Sequence, residues 1–135
     1  MNTGFADTSY FLALLIPDDV NHSAARRWAE AHRTPLITSE YVLLEVGNYL
    51  SPVPARRLFG QFWRALRSDS RMTVVPASSD LLARGLELYE SRLDKPWSLT
   101  DCISFVIMKD QKIQDAITAD RHFEQAGFTA VLKQP

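Results

Sequence analysis

Five short runs rich in apolar and β-branched residues alternate along the chain with stretches whose apolar positions recur at helical spacing. The β-like runs cover residues 3–6, 35–38, 72–75, 115–119 and 129–132. A first helix is predicted over 8–15, stopped by Pro17, and a second over 22–32, ended near Pro35. Ser39 is a good N-cap for a third helix running to about Leu50, ahead of Pro52, and Pro54 suits the first turn of a fourth that reaches Ser68. Ser78 or Ser79 caps a fifth helix ending near Arg92, and Ser98 caps a sixth ending near Gln111. A short seventh, 121–126, stops at Gly127, where a C′ glycine is expected.

Strands alternating with helices predict an α/β fold whose sheet is mainly parallel and joined by right-handed crossovers. In such sheets ligands bind beyond the carboxyl ends of the strands. Asp7, in Phe5-Ala6-Asp7-Thr8-Ser9, and Asp120, in Ile117-Thr118-Ala119-Asp120, follow β-like runs directly. They are the first pointers to a site.

At 135 residues and 15.3 kDa the chain is expected to form one domain, residues 1–135, with a single core. A composition 46% hydrophobic and 23% charged reads as a soluble globular protein, not a disordered one. The lone Cys102 forms no internal disulfide, no Cys/His cluster suggests zinc, and a reducing, cytoplasmic location is the expectation. The apolar run 10–16 is too short to span a bilayer and lacks the basic leader of a signal peptide. A net charge of -1 argues against a non-specific nucleic-acid coat but leaves room for a local basic face.

Four acids remain to be explained: Asp7, Glu45, Asp101 and Asp120. Taken singly, each has a structural account. Asp120 can N-cap the seventh helix, Asp101 stands at N3 after Ser98, Asp7 precedes a helix, and Glu45 is an ordinary helix former. Their joint placement says more. On a helical wheel Val42, Val46, Tyr49 and Leu50 define the buried stripe of the third helix, with Glu45 on its border and Asn48 beside it. Asp101 shares a face with Phe105 and Met108 in a helix so apolar that it must be largely buried. A carboxylate at a core edge is costly without a partner, and no lysine or arginine is positioned to neutralise all four. A divalent cation would do so, and oxygen ligands favour magnesium or manganese over zinc. Such a site supports phosphoryl transfer, with Thr8, Ser9, Asn48 and Thr118 as candidate hydrogen-bonding or substrate-contacting neighbours.

The segments Phe5-Ala6-Asp7-Thr8-Ser9, Glu45-Val46-Gly47-Asn48, Ser98-Leu99-Thr100-Asp101-Cys102-Ile103-Ser104-Phe105 and Thr118-Ala119-Asp120-Arg121-His122-Phe123 resemble the PIN-domain family, most closely its VapC-type toxin branch. The resemblance covers essentially the whole chain. It implies a three-layer α/β/α sandwich around a mainly parallel five-stranded sheet. It further implies an endoribonuclease dependent on Mg2+, for which Mn2+ may substitute, serving as the toxin of a toxin–antitoxin pair. On it, Asp7 and Asp101 match the principal metal ligands, and Glu45 and Asp120 complete the catalytic pocket. A homodimer and a cognate antitoxin whose C-terminal segment covers the active-site groove are implied as well. One departure stands out: many relatives carry a further acid shortly after the one matched by Asp120, where this chain has Arg121-His122-Phe123. One firmly held ion is therefore the expectation.

The fourth helix separates Leu58, Phe59, Phe62, Trp63 and Leu66 on one arc from Arg56, Arg57, Arg64 and Arg67 on the other. The arginines are candidate RNA contacts, although a merely solvated face accounts for them slightly better. His22 and His32 flank helix ends, His122 is expected at the surface, and the three tryptophans and Cys102 are expected to be core or interface residues. A non-catalytic PIN-like module that binds RNA or protein is the alternative. A phospho-acceptor receiver domain is more remote, because no lysine falls at the strand-end position it requires.

Overall fold

The computed structural model describes residues 2–133. Five strands, β1 (Gly4–Ala6), β2 (Leu36–Ser39), β3 (Met72–Val75), β4 (Asp115–Ile117) and β5 (Thr129–Ala130), form one sheet in the order β3-β2-β1-β4-β5. Every pairing is parallel, so the sheet is wholly rather than mainly parallel. Seven helices flank it: α1 (Thr8–Leu15), α2 (His22–Ala31), α3 (Glu40–Tyr49), α4 (Val53–Ser68), α5 (Ser79–Ser91), α6 (Leu99–Asp110) and α7 (Arg121–Gln125).

The expected helix signals act as proposed. The Ser39, Ser78 and Ser98 hydroxyls accept the backbone N–H groups of Val42, Leu81 and Asp101. Gly127, with φ +98°, occupies the left-handed conformation past the end of α7. The strands expected over 115–119 and 129–132 are shorter, Asp115–Ile117 and Thr129–Ala130, although beyond them the Leu132 N–H still donates to the Thr118 carbonyl at 3.0 Å.

After β3 the chain returns across the sheet to pair β4 beside β1. The carboxyl ends of β1 and β4 therefore meet where the strand order reverses, and Asp7 and Asp120 leave from those two ends. The register pairs Gly4 with Asp115 and Ala6 with Ile117, which puts Asp115 on the opposite rim.

The core gathers Phe5, Phe11, Leu43, Ile103, Phe105, Met108, Ile117 and Phe123. One face of α3 departs from expectation. Tyr49 is exposed, and Leu43 takes the buried place beside Val42, Val46 and Leu50. Leu50, one residue further on, is buried, so Tyr49 is exposed because it falls just outside the arc that Val42, Leu43, Val46 and Leu50 define.

Helix α6 is set firmly from two sides. Against α5, a Cβ on Gly85 would come within 3.3 Å of the Ile103 backbone, so only glycine permits this approach. Arg84 of α5 also clamps Asp110 of α6 with two hydrogen bonds of 2.6 and 2.7 Å. Against α7, Phe105 meets Phe123 edge-on at 5.0 Å and Trp97 at 5.1 Å, while the Trp97 indole N–H donates to Gln125 Oε1 at 3.0 Å.

Candidate metal centre

Asp101 is held at the start of α6 by a reciprocal capping box. Its N–H donates to Ser98 Oγ at 2.9 Å, and its Oδ2 accepts the Ser98 N–H at 3.2 Å. Asp120 caps α7, with Oδ1 accepting the His122 N–H at 2.8 Å. Both acids thus perform the local role open to a lone residue there, and the caps also aim them. Asp7 does not. It precedes α1 without a side-chain cap bond, and Thr118 Oγ1 donates to its Oδ2 at 3.0 Å. Thr118 Oγ1 in turn accepts the Asp120 N–H at 3.0 Å, so one hydroxyl joins the two strand ends.

Ser9 completes this knot. Its Oγ lies 3.1 Å from Asp7 Oδ2 and 2.7 Å from Thr118 Oγ1. Two hydroxyl protons serve three contacts, and a proton on Asp7 would satisfy the third. Burial, followed by repulsion from Asp101, pushes the Asp7 carboxyl up to about 7, against opposing bonds from Thr118 and Thr8; Asp120 adds a smaller repulsion. Asp101 is raised as well, first by burial and then by Asp120, with bonds from Ser98 and His122 acting against the rise. Among the described residues no lysine or arginine forms an ion pair with Asp7, Asp101 or Asp120.

The side chain that enters the group is His122, which sequence reasoning placed at the surface. It is half-buried, with Nδ1 3.1 Å from Asp101 Oδ2 and 3.5 Å from Asp120 Oδ1. Asp101, Asp120 and His122 each offer a ligand atom, and these atoms lie within 4.8 Å of one another. The donor set of two carboxylates and an imidazole fits a divalent cation. The available signal was its position beside Asp120 in the first turn of α7, where a ring can turn back towards α6.

The other candidates divide. Glu45 is half-buried on α3 and outside the 4.8 Å group. Thr8 is buried and its hydroxyl has no hydrogen-bond partner among the described residues, whereas Asn48 is exposed. Arg56, Arg57, Arg64 and Arg67 all lie exposed along α4, Arg67 over the Trp63 ring at 5.6 Å. Cys102 is fully buried, and burial pushes its thiol up to about 11, which fits a core role. Trp97 is buried, and Trp28 and Trp63 pack half-buried against the core. A separate groove of about 390 Å³, bordered by Arg84, Arg92, Trp97 and Phe128, contains none of the four acids.

Comparison with known proteins agrees with this geometry. The family profile described as PIN domain matches residues 5–129. The chain belongs to the PIN-domain family. Two curated PIN relatives, from two strains of Mycobacterium tuberculosis, are both named 23S rRNA-specific endonuclease VapC20. Each is 29% identical over 127 residues, covering 94% of this chain and 96% of the relative. The crystal structure of Mycobacterium tuberculosis VapC20, described as a sarcin-ricin loop cleaving toxin, superposes with a TM-score of 0.84. It shares 28% identity and covers 93% of this chain and 95% of that one. The expected PIN-like α/β architecture and the VapC-type resemblance are both borne out. Among the described residues no helix is long and apolar enough to cross a membrane.

Proposed function

We propose that residues 1–135 act as one PIN-like nuclease domain, a cytoplasmic endoribonuclease that forms the toxic half of a toxin–antitoxin pair. The observation that carries this reading is the convergence of Asp101, Asp120 and His122 within 4.8 Å, beside a raised Asp7 that no lysine or arginine among the described residues pairs with. The relatives' names supply the substrate class, and ribosomal RNA is the first substrate to test.

Asp7 and Asp101 are the principal ligands for Mg2+, with Glu45 and Asp120 completing the pocket; Mn2+ can substitute. When bound, the cation acts as a Lewis acid on the scissile phosphate and lowers the pKa of bound water. Ser9 and Thr118 orient Asp7, Ser98 orients Asp101, and a carboxylate of the group takes the proton of the attacking water. Thr8 and Asn48 are the remaining candidates for orienting groups or substrate.

Arg56, Arg57, Arg64 and Arg67 supply cationic contacts for phosphates approaching a negative site. A homodimer is supported by the exposed apolar stripe Leu82, Leu86, Tyr89 and Leu93 along and just beyond α5. A cognate antitoxin covering the acidic groove completes the set of partners.

Mapping cut ends on ribosomal RNA, with wild type against Asp101→Asn, tests the proposal. Cleavage that persists in the variant or in excess chelator overturns it. A non-catalytic RNA- or protein-binding module would instead bind without cutting and show no rise in melting temperature with magnesium.

A further inference from the structure

We infer that His122 is a nitrogen ligand of the bound cation, making this a mixed carboxylate–imidazole site that favours manganese over magnesium more strongly than carboxylates alone would. The inference rests on the metal-dependent reading above and specifies the chemistry of the same site. Its starting point is spacing. Two ligands at right angles on an ion with bonds of about 2.1 Å stand about 3 Å apart. His122 Nδ1 hydrogen-bonds Asp101 Oδ2 at 3.1 Å and lies 3.5 Å from Asp120 Oδ1, and an ion replacing the shared proton would draw together three ligand atoms that lie within 4.8 Å of one another.

The backbone holds the arrangement. Asp120 Oδ1 is fixed by the His122 N–H, and Asp101 Oδ2 by the Ser98 N–H. The His122 ring therefore approaches two oxygens that are already oriented. The side chains of His122 and Asp120 remain 22% and 32% exposed, which leaves the group open to water and to a phosphate on one side.

The other two histidines stand at the two ends of α2, outside the group formed by Asp101, Asp120 and His122. An imidazole signal that disappears when His122 is replaced therefore identifies that residue. Imidazole is a good ligand for first-row transition ions, whereas magnesium keeps oxygen and water.

The test uses the full chain and two ions. Pulsed electron paramagnetic resonance of bound Mn2+ should show nitrogen coupling in wild type and none in His122→Gln. Competition between the ions, followed by melting temperature, should show the manganese preference falling about tenfold in His122→Asp, which keeps a ligand at the position. Manganese bound without nitrogen coupling overturns the inference and leaves the nuclease reading intact, as does coupling that survives in His122→Gln. If wild type binds neither ion, the metal-dependent reading fails, and this inference with it.

Discussion

Asp7 concentrates the electrostatic cost of the site. Its folded pKa of about 7 lies above the ordinary 3.8, so the folded protein holds the extra proton between those values. Stability of the metal-free protein should be fullest below about 4 and decline as pH rises through about 7. Asp7→Asn removes this charge but keeps a side chain able to meet Ser9 and Thr118. Chemical denaturation in chelator at pH 8 should show the variant more stable by roughly 2 to 4 kcal/mol, and at pH 4 nearly equal to wild type. The same variant should cut RNA at background level. A variant no more stable than wild type at pH 8 would mean that the buried charge is relieved in some other way.

At the scale of elements, the site depends on how α6 is seated. Gly85→Ala drives a methyl towards Ile103 and should cost about 1 to 3 kcal/mol in denaturant unfolding. Ser98→Ala removes one half of the capping box. It should cost about 1 kcal/mol and also weaken metal binding, because Asp101 loses part of its orientation. Reading both stability and a magnesium titration separates these effects: the Gly85 change should act mainly on the first and the Ser98 change on both. Most elements were legible in the chain because caps, prolines and apolar spacing act within a turn or two. Tyr49 lies outside the buried arc because a wheel gives only relative directions, whereas packing centres the arc of α3 on Leu43, Val46 and Leu50.

Across the whole molecule, an acidic centre and the exposed arginine face of α4 should together make the proposed RNA binding salt-sensitive. Replacing Arg56, Arg57, Arg64 and Arg67 with glutamine should weaken RNA affinity and flatten its dependence on salt, while magnesium still raises the melting temperature. An unchanged salt slope would return those arginines to the role of a solvated helix face. The α5 stripe predicts self-association, and Leu86→Lys should shift a sedimenting dimer to monomer without loss of helical signal.

The amino-acid sequence alone carries the alternation of strands and helices, most of the caps that bound them, and four acids that stand out as candidates for a cation site. Those signals lie within a few residues of one another, or in a family pattern written along the whole chain. Only the tertiary structure brought Thr118 to Asp7 across 111 positions, through the parallel pairing of β1 with β4. It also turned His122 inward to Asp101, 21 positions away, through the packing of α7 on α6. Which acids share one charge field, and which ring joins them, is set by strand register and helix seating, and neither is encoded in local spacing.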